Sequence, residues 1–284
     1  MSEARTSRRS VLVTRLTFGI PILAVVVGLL LLDRGREGGL GVGILAVVFG
    51  VGAIIEFARM FRLGRGVTLL SVLLLLLLTV GRIVELPLLA PDLSFAEAAL
   101  LLPLLVLLVP APRDGAEASF GRGALSALLG VAYIGLPLVA LVDLAGDTDW
   151  GVSGLLFLLL VVKGNDSGAY LVGRRWGRTP LTRISPKKTV EGSAGGLVLG
   201  VGIGLVLHAV GLTSILGLGQ TIGLSAAIGV LGQLGDLLES ALKRRAGVKD
   251  SGALIPAFGG ILDLLDSLLL AGPLLLLVAI RLGL

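Results

Sequence analysis

Acidic side chains in the second half of this chain are the first candidates for chemistry. Asp236 ends one apolar run, while Asp263 and Asp266 open the next run and share one helix face. Asp166 lies inside an earlier apolar run. Buried carboxylates usually have a partner or an ion, and oxygen ligands without His or Cys suit Mg²⁺ or Mn²⁺ rather than Zn²⁺. An equally open interpretation is that they cap helices or pair with nearby Lys and Arg.

Basic residues accompany these acids in the same two stretches, residues 163–196 and 233–267. The compact basic and hydroxyl groups are Ser185, Pro186, Lys187, Lys188 and Thr189, and then Lys243, Arg244, Arg245 and Lys249. Cations, glycine N–H groups and a divalent ion together describe a polyphosphate site. For each group alone, membrane orientation or anionic headgroups is the simpler explanation. Orientation requires only the bases, so it does not explain why acids are mixed with them.

Missing residue types exclude several chemistries. The chain has no cysteine, which excludes disulfides, thiol nucleophiles and cysteine-ligated metal sites. Its single histidine, His208, excludes a histidine-rich metal site. No GxxxxGK[ST] loop is present, so the chain is not an ordinary P-loop enzyme.

Composition places these candidates in a membrane. Of the 284 residues, 55% are hydrophobic and 15% are charged, and the mean hydropathy is +1.01. A soluble protein cannot hide that much apolar surface, so a soluble globular enzyme, a disordered tail and a nucleic-acid-binding domain are excluded. Few aromatic residues and leucine runs such as Leu73–Leu78 favour helices over a β-barrel. We predict an all-α, polytopic transmembrane helical bundle.

Apolar runs long enough to cross a bilayer predict nine spans. They are residues 16–32, 40–57, 67–84, 94–110, 124–144, 152–172, 193–210, 215–234 and 264–284. With a cytoplasmic N-terminus, 19 basic residues fall on the inside and 4 on the outside, which is a strong positive-inside pattern. The basic opening segment precedes a long run without a small-residue cleavage site, so we expect a retained first helix.

The recognisable chemistry is unevenly distributed along the chain. Residues 1–150 are expected to form N-terminal transmembrane helices without a motif, with their charges in short loops. Residues 151–284 are expected to form a catalytic transmembrane region with two cytoplasmic polar loops.

The two polar stretches resemble the phosphatidate cytidylyltransferase (CDP-diacylglycerol synthase) family. That family has D-[ST]-x-A-Y before S-P-K-K-T-x-E-G-x-x-G-G, which matches Asp166–Tyr170 and Ser185–Gly196 here. Its second signature begins G-D-x-x-E-S-x-L-K-R and continues through K-D to G-G-x-x-D, which matches Gly235–Arg244, Lys249–Asp250 and Gly259–Asp263. The resemblance covers about a third of the chain.

Two positions depart from the family pattern. The family usually has P-G-H-G-G and D-R-x-D, whereas this chain has Phe258 in place of the histidine and Leu264 in place of the arginine. The carboxylates and the lysines of both signatures are retained.

The resemblance implies that CTP and phosphatidic acid give CDP-diacylglycerol and pyrophosphate, with Mg²⁺ or Mn²⁺ as cofactor and room for a second, monovalent ion. The implied metal ligands are Asp236, Asp263 and Asp166. The implied catalytic residues are Asp236, Asp263, Asp266, Lys249 and Asp250. The implied substrate-binding residues are Ser185, Lys187, Lys188, Thr189, Glu191, Lys243 and Arg244.

The expected setting is the inner membrane, with the active site facing the cytoplasm, the bilayer and both substrates as partners, a homodimer as an option and no nucleic acid. Other lipid acceptors stay open, as in CDP-archaeol synthesis or CTP-dependent polyprenol phosphorylation. The D-G-x-x-D-G-x-x-A-R stretch of CDP-alcohol phosphatidyltransferases is absent. A transporter would place its polar residues around a midplane site, whereas these carboxylates gather beside basic loops.

Overall fold

The computed structural model describes residues 21, 24–30, 32–33, 39–84, 92–112, 119–146, 150–252 and 259–283. Residues 21, 24–30 and 32–33 are helical, and from residue 39 onward the described ranges contain eight α-helices and no β-strand. The helices are α1 (Leu40–Met60), α2 (Arg65–Ile83), α3 (Leu93–Leu101), α4 (Phe120–Gly146), α5 (Gly151–Trp176), α6 (Val190–Ala209), α7 (Leu218–Arg245) and α8 (Ile261–Leu282). All except α3 are long and apolar enough to cross a membrane, which confirms the all-α polytopic prediction.

Seven of the nine predicted spans coincide with these long helices. The span predicted at 94–110 is instead α3 followed by a 3₁₀ segment, Leu102–Leu108, because Pro103 in its first turn cannot donate the hydrogen bond that would continue an α-helix. The wider rise of a 3₁₀ turn still gives this combined element a length of about 28 Å. Within the span predicted at 16–32, residues 21, 24–30 and 32 are described and helical, and the other residues lie outside the described part of the chain.

Ion pairs show that the helices alternate in direction. Arg82, at the end of α2, pairs with Asp143, near the end of α4. Arg281, at the end of α8, lies 3.0 Å from Glu97 of α3. Both pairs therefore lie at one end of the bundle. Arg82 and Asp143 are buried, so the expectation that charges before residue 150 lie in short loops is wrong for this pair.

Helices α5 and α6 meet along a row of glycines. Gly192, Gly196, Gly200 and Gly204 recur every fourth residue of α6 and are buried. A Cβ at Gly196 would lie 2.7 Å from the backbone oxygen of Asn165 on α5. Small residues thus let the two backbones approach as in other membrane helix pairs, and this contact fixes the end of α5 beside the start of α6.

Helices α4 and α8 form the centre of the bundle and are its most buried spans. A single hydrophobic core joins α1, α4, α5, α7 and α8. By contrast, α2 leaves leucines such as Leu69, Leu70 and Leu77 about 60% exposed, as expected for side chains that face lipid. The polar residues of α8 are therefore carried by one of the two most buried helices.

Candidate active site

Three carboxylates converge where α7 and α8 pack together. Asp236 and Glu239 lie one turn apart on α7, and Asp266 lies on α8. Each offers an oxygen within 4.8 Å of the others. We call Asp236, Glu239 and Asp266 the acidic cluster.

The acidic cluster fits a hard divalent cation. Oxygen-only donor sets suit Mg²⁺ and Mn²⁺. Glu239 is buried, and its Oε1 has no hydrogen-bond partner among the described residues. A buried carboxylate oxygen without a partner is costly, and a bound cation would remove that cost.

Lys243 connects the acidic cluster to Asp263. Its ammonium lies 2.6 Å from Glu239 Oε2 and 2.6 Å from Asp263 Oδ1. The other oxygen of Asp263 accepts a hydrogen bond from Gly260 N–H at 2.9 Å. Both Asp263 oxygens therefore have protein partners in this structure, and the metal-ligand role predicted for Asp263 stays a prediction.

A cavity of about 470 Å³ with charged side chains in its lining adjoins the acidic cluster. Asp236 belongs to both, because its side chain also lines the cavity. The cavity's charged lining consists of Asp166, Arg174, Lys187, Lys188 and Asp236. Lys188 lies 2.5 Å from Asp236, so a cation from the 177–189 loop reaches the cluster.

The 177–189 loop holds its lysines on a hydrogen-bonded frame. Leu181 N–H donates to Lys188 O at 2.8 Å, and Val190 N–H donates to Thr179 O at 2.9 Å. Thr189 caps α6 by accepting from Gly192 N–H at 3.1 Å. Ser185 donates its N–H to Thr182 at 3.2 Å. This frame points Lys187 and Lys188 into the cavity.

Glu191 closes the same loop from the first turn of α6. Its carboxylate accepts from Arg178 N–H at 3.1 Å and from the Thr179 hydroxyl at 2.9 Å. The predicted substrate-binding residues Thr189 and Glu191 thus have structural partners in the loop.

An amide network joins three helices at the wall of the cavity. Gln233 Nε2 on α7 donates to Asn165 Oδ1 on α5 at 2.9 Å and to Ser193 O on α6 at 3.0 Å. The Ser193 hydroxyl donates to Gln233 Oε1. Sequence reasoning assigned no role to these residues, although all three lie in its two polar stretches.

The remaining predicted residues lie at the same end of the bundle but outside the acidic cluster. Asp166 lines the cavity and pairs with Lys163 at 3.3 Å. Arg244, Lys249 and Asp250 are exposed and are not among the residues lining the cavity. The roles predicted for them stay predictions. Phe258, which replaces the family histidine, lies outside the described residues.

Two further residues near the site come from the N-terminal half. The Tyr133 hydroxyl on α4 is fully buried, has no hydrogen-bond partner among the described residues and interacts electrostatically with Glu239 and Asp266. Glu56 on α1 is fully buried and contacts the segment that precedes α8. Sequence reasoning missed both. A carboxylate inside an apolar run was an available signal for Glu56, whereas Tyr133 carried no such signal.

Comparison with known proteins places these features in a family. The cytidylyltransferase family model matches residues 13–281. A phosphatidate cytidylyltransferase of Bacillus subtilis is 39% identical over 148 residues, covering 52% of this chain and 55% of the relative. One from Staphylococcus saprophyticus is 39% identical over 155 residues, covering 54% and 58%. Phosphatidate cytidylyltransferase 5 of Arabidopsis thaliana, a chloroplastic protein, is 45% identical over 134 residues, covering 46% and 33%.

The chain thus spans about half the length of the two bacterial relatives in these matches. The family model, in contrast, reaches across nearly the whole chain.

Proposed function

This chain belongs to the cytidylyltransferase family, and we propose that it transfers the cytidylyl group of CTP to phosphatidic acid. The products are CDP-diacylglycerol and pyrophosphate. The matched relatives are named phosphatidate cytidylyltransferases, which favours phosphatidic acid over other lipid acceptors.

One observation carries this proposal: a cavity with three cationic side chains in its lining shares Asp236 with the acidic cluster. Lys187, Lys188 and Arg174 supply positive charge for a polyphosphate. A cavity of about 470 Å³ lies within the usual range of small-molecule sites, roughly 300–1,000 Å³. Cations for the phosphates and carboxylates for a metal are thus adjacent, as a nucleotidyl transfer requires.

The reaction needs no side-chain nucleophile. An oxygen of the phosphatidate phosphate, already anionic near neutral pH, attacks the α-phosphorus of CTP. A new P–O bond forms, the bond between the α-phosphorus and the bridging β-phosphate oxygen breaks, and pyrophosphate leaves with the electron pair. The protein must bring two polyanions together and stabilise charge in the transition state. Lys187 and Lys188 are placed for that role because they line the cavity.

The acidic cluster supplies the metal-binding residues in this proposal. Asp236, Glu239 and Asp266 would hold Mg²⁺ or Mn²⁺, which neutralises phosphate charge and polarises the reacting phosphoryl group when bound. Lys243 orients Glu239 and Asp263 by its two ion pairs. Asp236 is also paired with Lys188, so the same carboxylate positions a loop lysine near the phosphates.

The polar end of the bundle is proposed to face the cytoplasm of the inner membrane. The positive-inside distribution supports this orientation. CTP would then enter the cavity from water, while the acyl chains of phosphatidic acid stay in the bilayer. Polar groups at one end of the bundle support an interfacial reaction better than a midplane transport pathway.

The test is pyrophosphate release by the purified full chain in mixed micelles with CTP, phosphatidic acid and Mg²⁺. We expect release that depends on phosphatidic acid and disappears in Asp236→Asn. The matched control is Glu97→Gln, which changes a carboxylate at the opposite end of the bundle and should keep wild-type turnover.

Two results would contradict the proposal. If the folded wild-type protein releases pyrophosphate only with another lipid acceptor, that lipid is the substrate rather than phosphatidic acid. Unchanged turnover in Asp236→Asn would remove the acidic cluster from the reaction.

A further inference from the structure

Glu56 is a buried carboxylate that the reaction described above does not use. It is the one acidic residue of α1 and is fully buried. Placing a carboxyl group in an apolar helix is expensive unless it makes specific contacts. The contacts of Glu56 are therefore the place to look for its role.

Those contacts lie at the start of α8. Glu56 Oε2 accepts a hydrogen bond from Leu262 N–H at 2.9 Å, and the Ser251 hydroxyl donates to the same oxygen at 3.4 Å. The first N–H groups of a helix have no partner within the helix and are usually satisfied by an N-cap side chain. The N-cap of α8 is Gly260, which has no side chain. Glu56 thus provides from α1 the acceptor that the N-cap residue lacks.

Two glycines make room for this carboxyl group. A Cβ at Gly252 would lie 2.2 Å from Glu56 Oε1, and a Cβ at Gly260 would lie 2.7 Å from Glu56 Oε2. Gly252 and Gly260 lie between α7 and α8, so the described backbone at these two positions approaches Glu56 closely.

The first turns of α8 carry residues of the site. Asp263 is the third residue of α8 and is bound to Lys243, and Asp266 is one turn further on and belongs to the acidic cluster. Any displacement at Leu262 moves both carboxylates relative to α7. A misplacement of catalytic groups by about 1 Å can cost about a hundredfold in rate. The position at which α8 starts therefore strongly affects the geometry and the rate of the site.

We propose that Glu56 is a positioning residue that sets the start of α8 by acting as its N-terminal hydrogen-bond acceptor from another helix. Its effect on catalysis rests on the proposed function, but its effect on the segment does not. The expected consequence is that removal of the acceptor loosens Ser251 and residues 260–262 and disorganises Asp263 and Asp266. A substitution that keeps an acceptor oxygen preserves both.

The first readout is independent of activity. The chain has no cysteine, so Ser251→Cys introduces a single thiol at a site that is only 6% exposed. We expect maleimide to modify this thiol about tenfold faster in Glu56→Ala, because an unsatisfied buried N–H favours local opening. In Glu56→Gln, which retains an acceptor, the rate should stay within about twofold of the parent. Glu97→Ala is the matched control and should not change the rate.

The second readout is kinetic and uses chains without the added cysteine. Glu56→Ala should lower kcat and raise the Mg²⁺ concentration needed for half-maximal rate, while the KM for CTP stays near the parent value. Glu56→Gln should restore both. If Glu56 contributed only to general stability, Glu56→Ala would lower the yield of folded protein. It would not lower kcat at an unchanged KM for CTP, and glutamine would not restore kcat.

Gly252→Ala provides the test if Glu56→Ala does not fold, because it crowds Glu56 without removing it. It should reproduce the kinetic split, whereas Gly223→Ala, which meets nothing within 4 Å, should not. Wild-type thiol protection in a folded Glu56→Ala protein, or equal rates in the alanine and glutamine variants, would overturn the proposal. A wild-type protein with no phosphatidate-dependent release would overturn the proposed function and leave the thiol test intact.

Discussion

Gly235 lies where α7 and α8 approach most closely beside the acidic cluster, and alanine at this position should impair the site. A Cβ at Gly235 would be 2.3 Å from the backbone oxygen of Asp266 and 3.2 Å from Ser267 Cα. Backbone atoms of a packed helix cannot turn aside as a flexible side chain can. The two helices must therefore separate by about 1 Å to reach ordinary van der Waals contact.

Two effects of Gly235→Ala oppose each other. Replacing glycine inside a helix by alanine favours the helix by about 1 kcal/mol. Overpacking a rigid contact costs about 1–3 kcal/mol, so the net change in unfolding free energy is small or moderately destabilising. The effect on turnover is larger because Asp236 follows Gly235 directly. A shift of about 1 Å between Asp236 and Asp266 should lower kcat by about a hundredfold.

The assay is pyrophosphate release over a Mg²⁺ titration, together with thermal unfolding of the same samples. Gly223→Ala is the matched control, because it makes the same change on the same helix where a Cβ meets nothing within 4 Å. It should keep wild-type kcat and be as stable as the parent or more so. Wild-type kcat and Mg²⁺ dependence in a folded Gly235→Ala protein would refute the claim that this close contact sets the cluster geometry.

Three further predictions concern the 177–189 loop and the packing of α5 against α6. Lys188→Ala removes the cation paired with Asp236 and should raise the KM for CTP by about tenfold in the pyrophosphate assay; an unchanged KM would place Lys188 outside the phosphate site. Gly168→Ala, whose Cβ would lie 2.7 Å from a backbone oxygen of α6, should cost about 1–3 kcal/mol in thermal unfolding. Gly202→Ala on α6, where a Cβ would meet nothing within 4 Å, should not lower the free energy of unfolding. Equal losses of stability in the Gly168→Ala and Gly202→Ala proteins would contradict the packing argument. Glu191→Ala should speed tryptic cleavage in the 177–189 loop, because three donor groups of Arg178 and Thr179 lose the carboxylate that accepts their hydrogen bonds. An unchanged digestion pattern would argue against this role.

Helix number and type could be predicted because they depend on local composition. Apolar runs long enough to cross a bilayer need internal backbone hydrogen bonds, and a helix supplies them within one segment. The run at 94–110 passed the same criterion, but Pro103 removes a backbone donor and the segment continues as a 3₁₀ turn. Hydropathy averages over a window and does not register a single missing N–H group.

The site residues could be predicted as a set, but their pairing could not. Glu239 and Lys243 are four residues apart on a helix, a spacing at which opposite charges pair, and their charged groups lie 2.6 Å apart. Lys243 also binds Asp263, and this second contact depends on how closely α7 and α8 pack. Gly235 permits that close packing because it has no side chain. Which of these charged groups meet is therefore a property of the helix contact rather than of either sequence motif.

The N-terminal helices illustrate the limit of motif reasoning most clearly. A motif is recognised when several functional residues lie at fixed spacing in one segment, whereas Glu56 and Tyr133 are single polar residues in apolar helices. Each becomes informative only when packing brings it to the polar end of α7 and α8. Helix α8 is itself packed against both α1 and α4, so the carboxylates of the recognisable second half are positioned on a surface that the first half builds. The boundary at residue 150 therefore separates residues that carry recognisable motifs from residues that do not. It does not divide the structure, because the hydrophobic core contains residues from both sides of it.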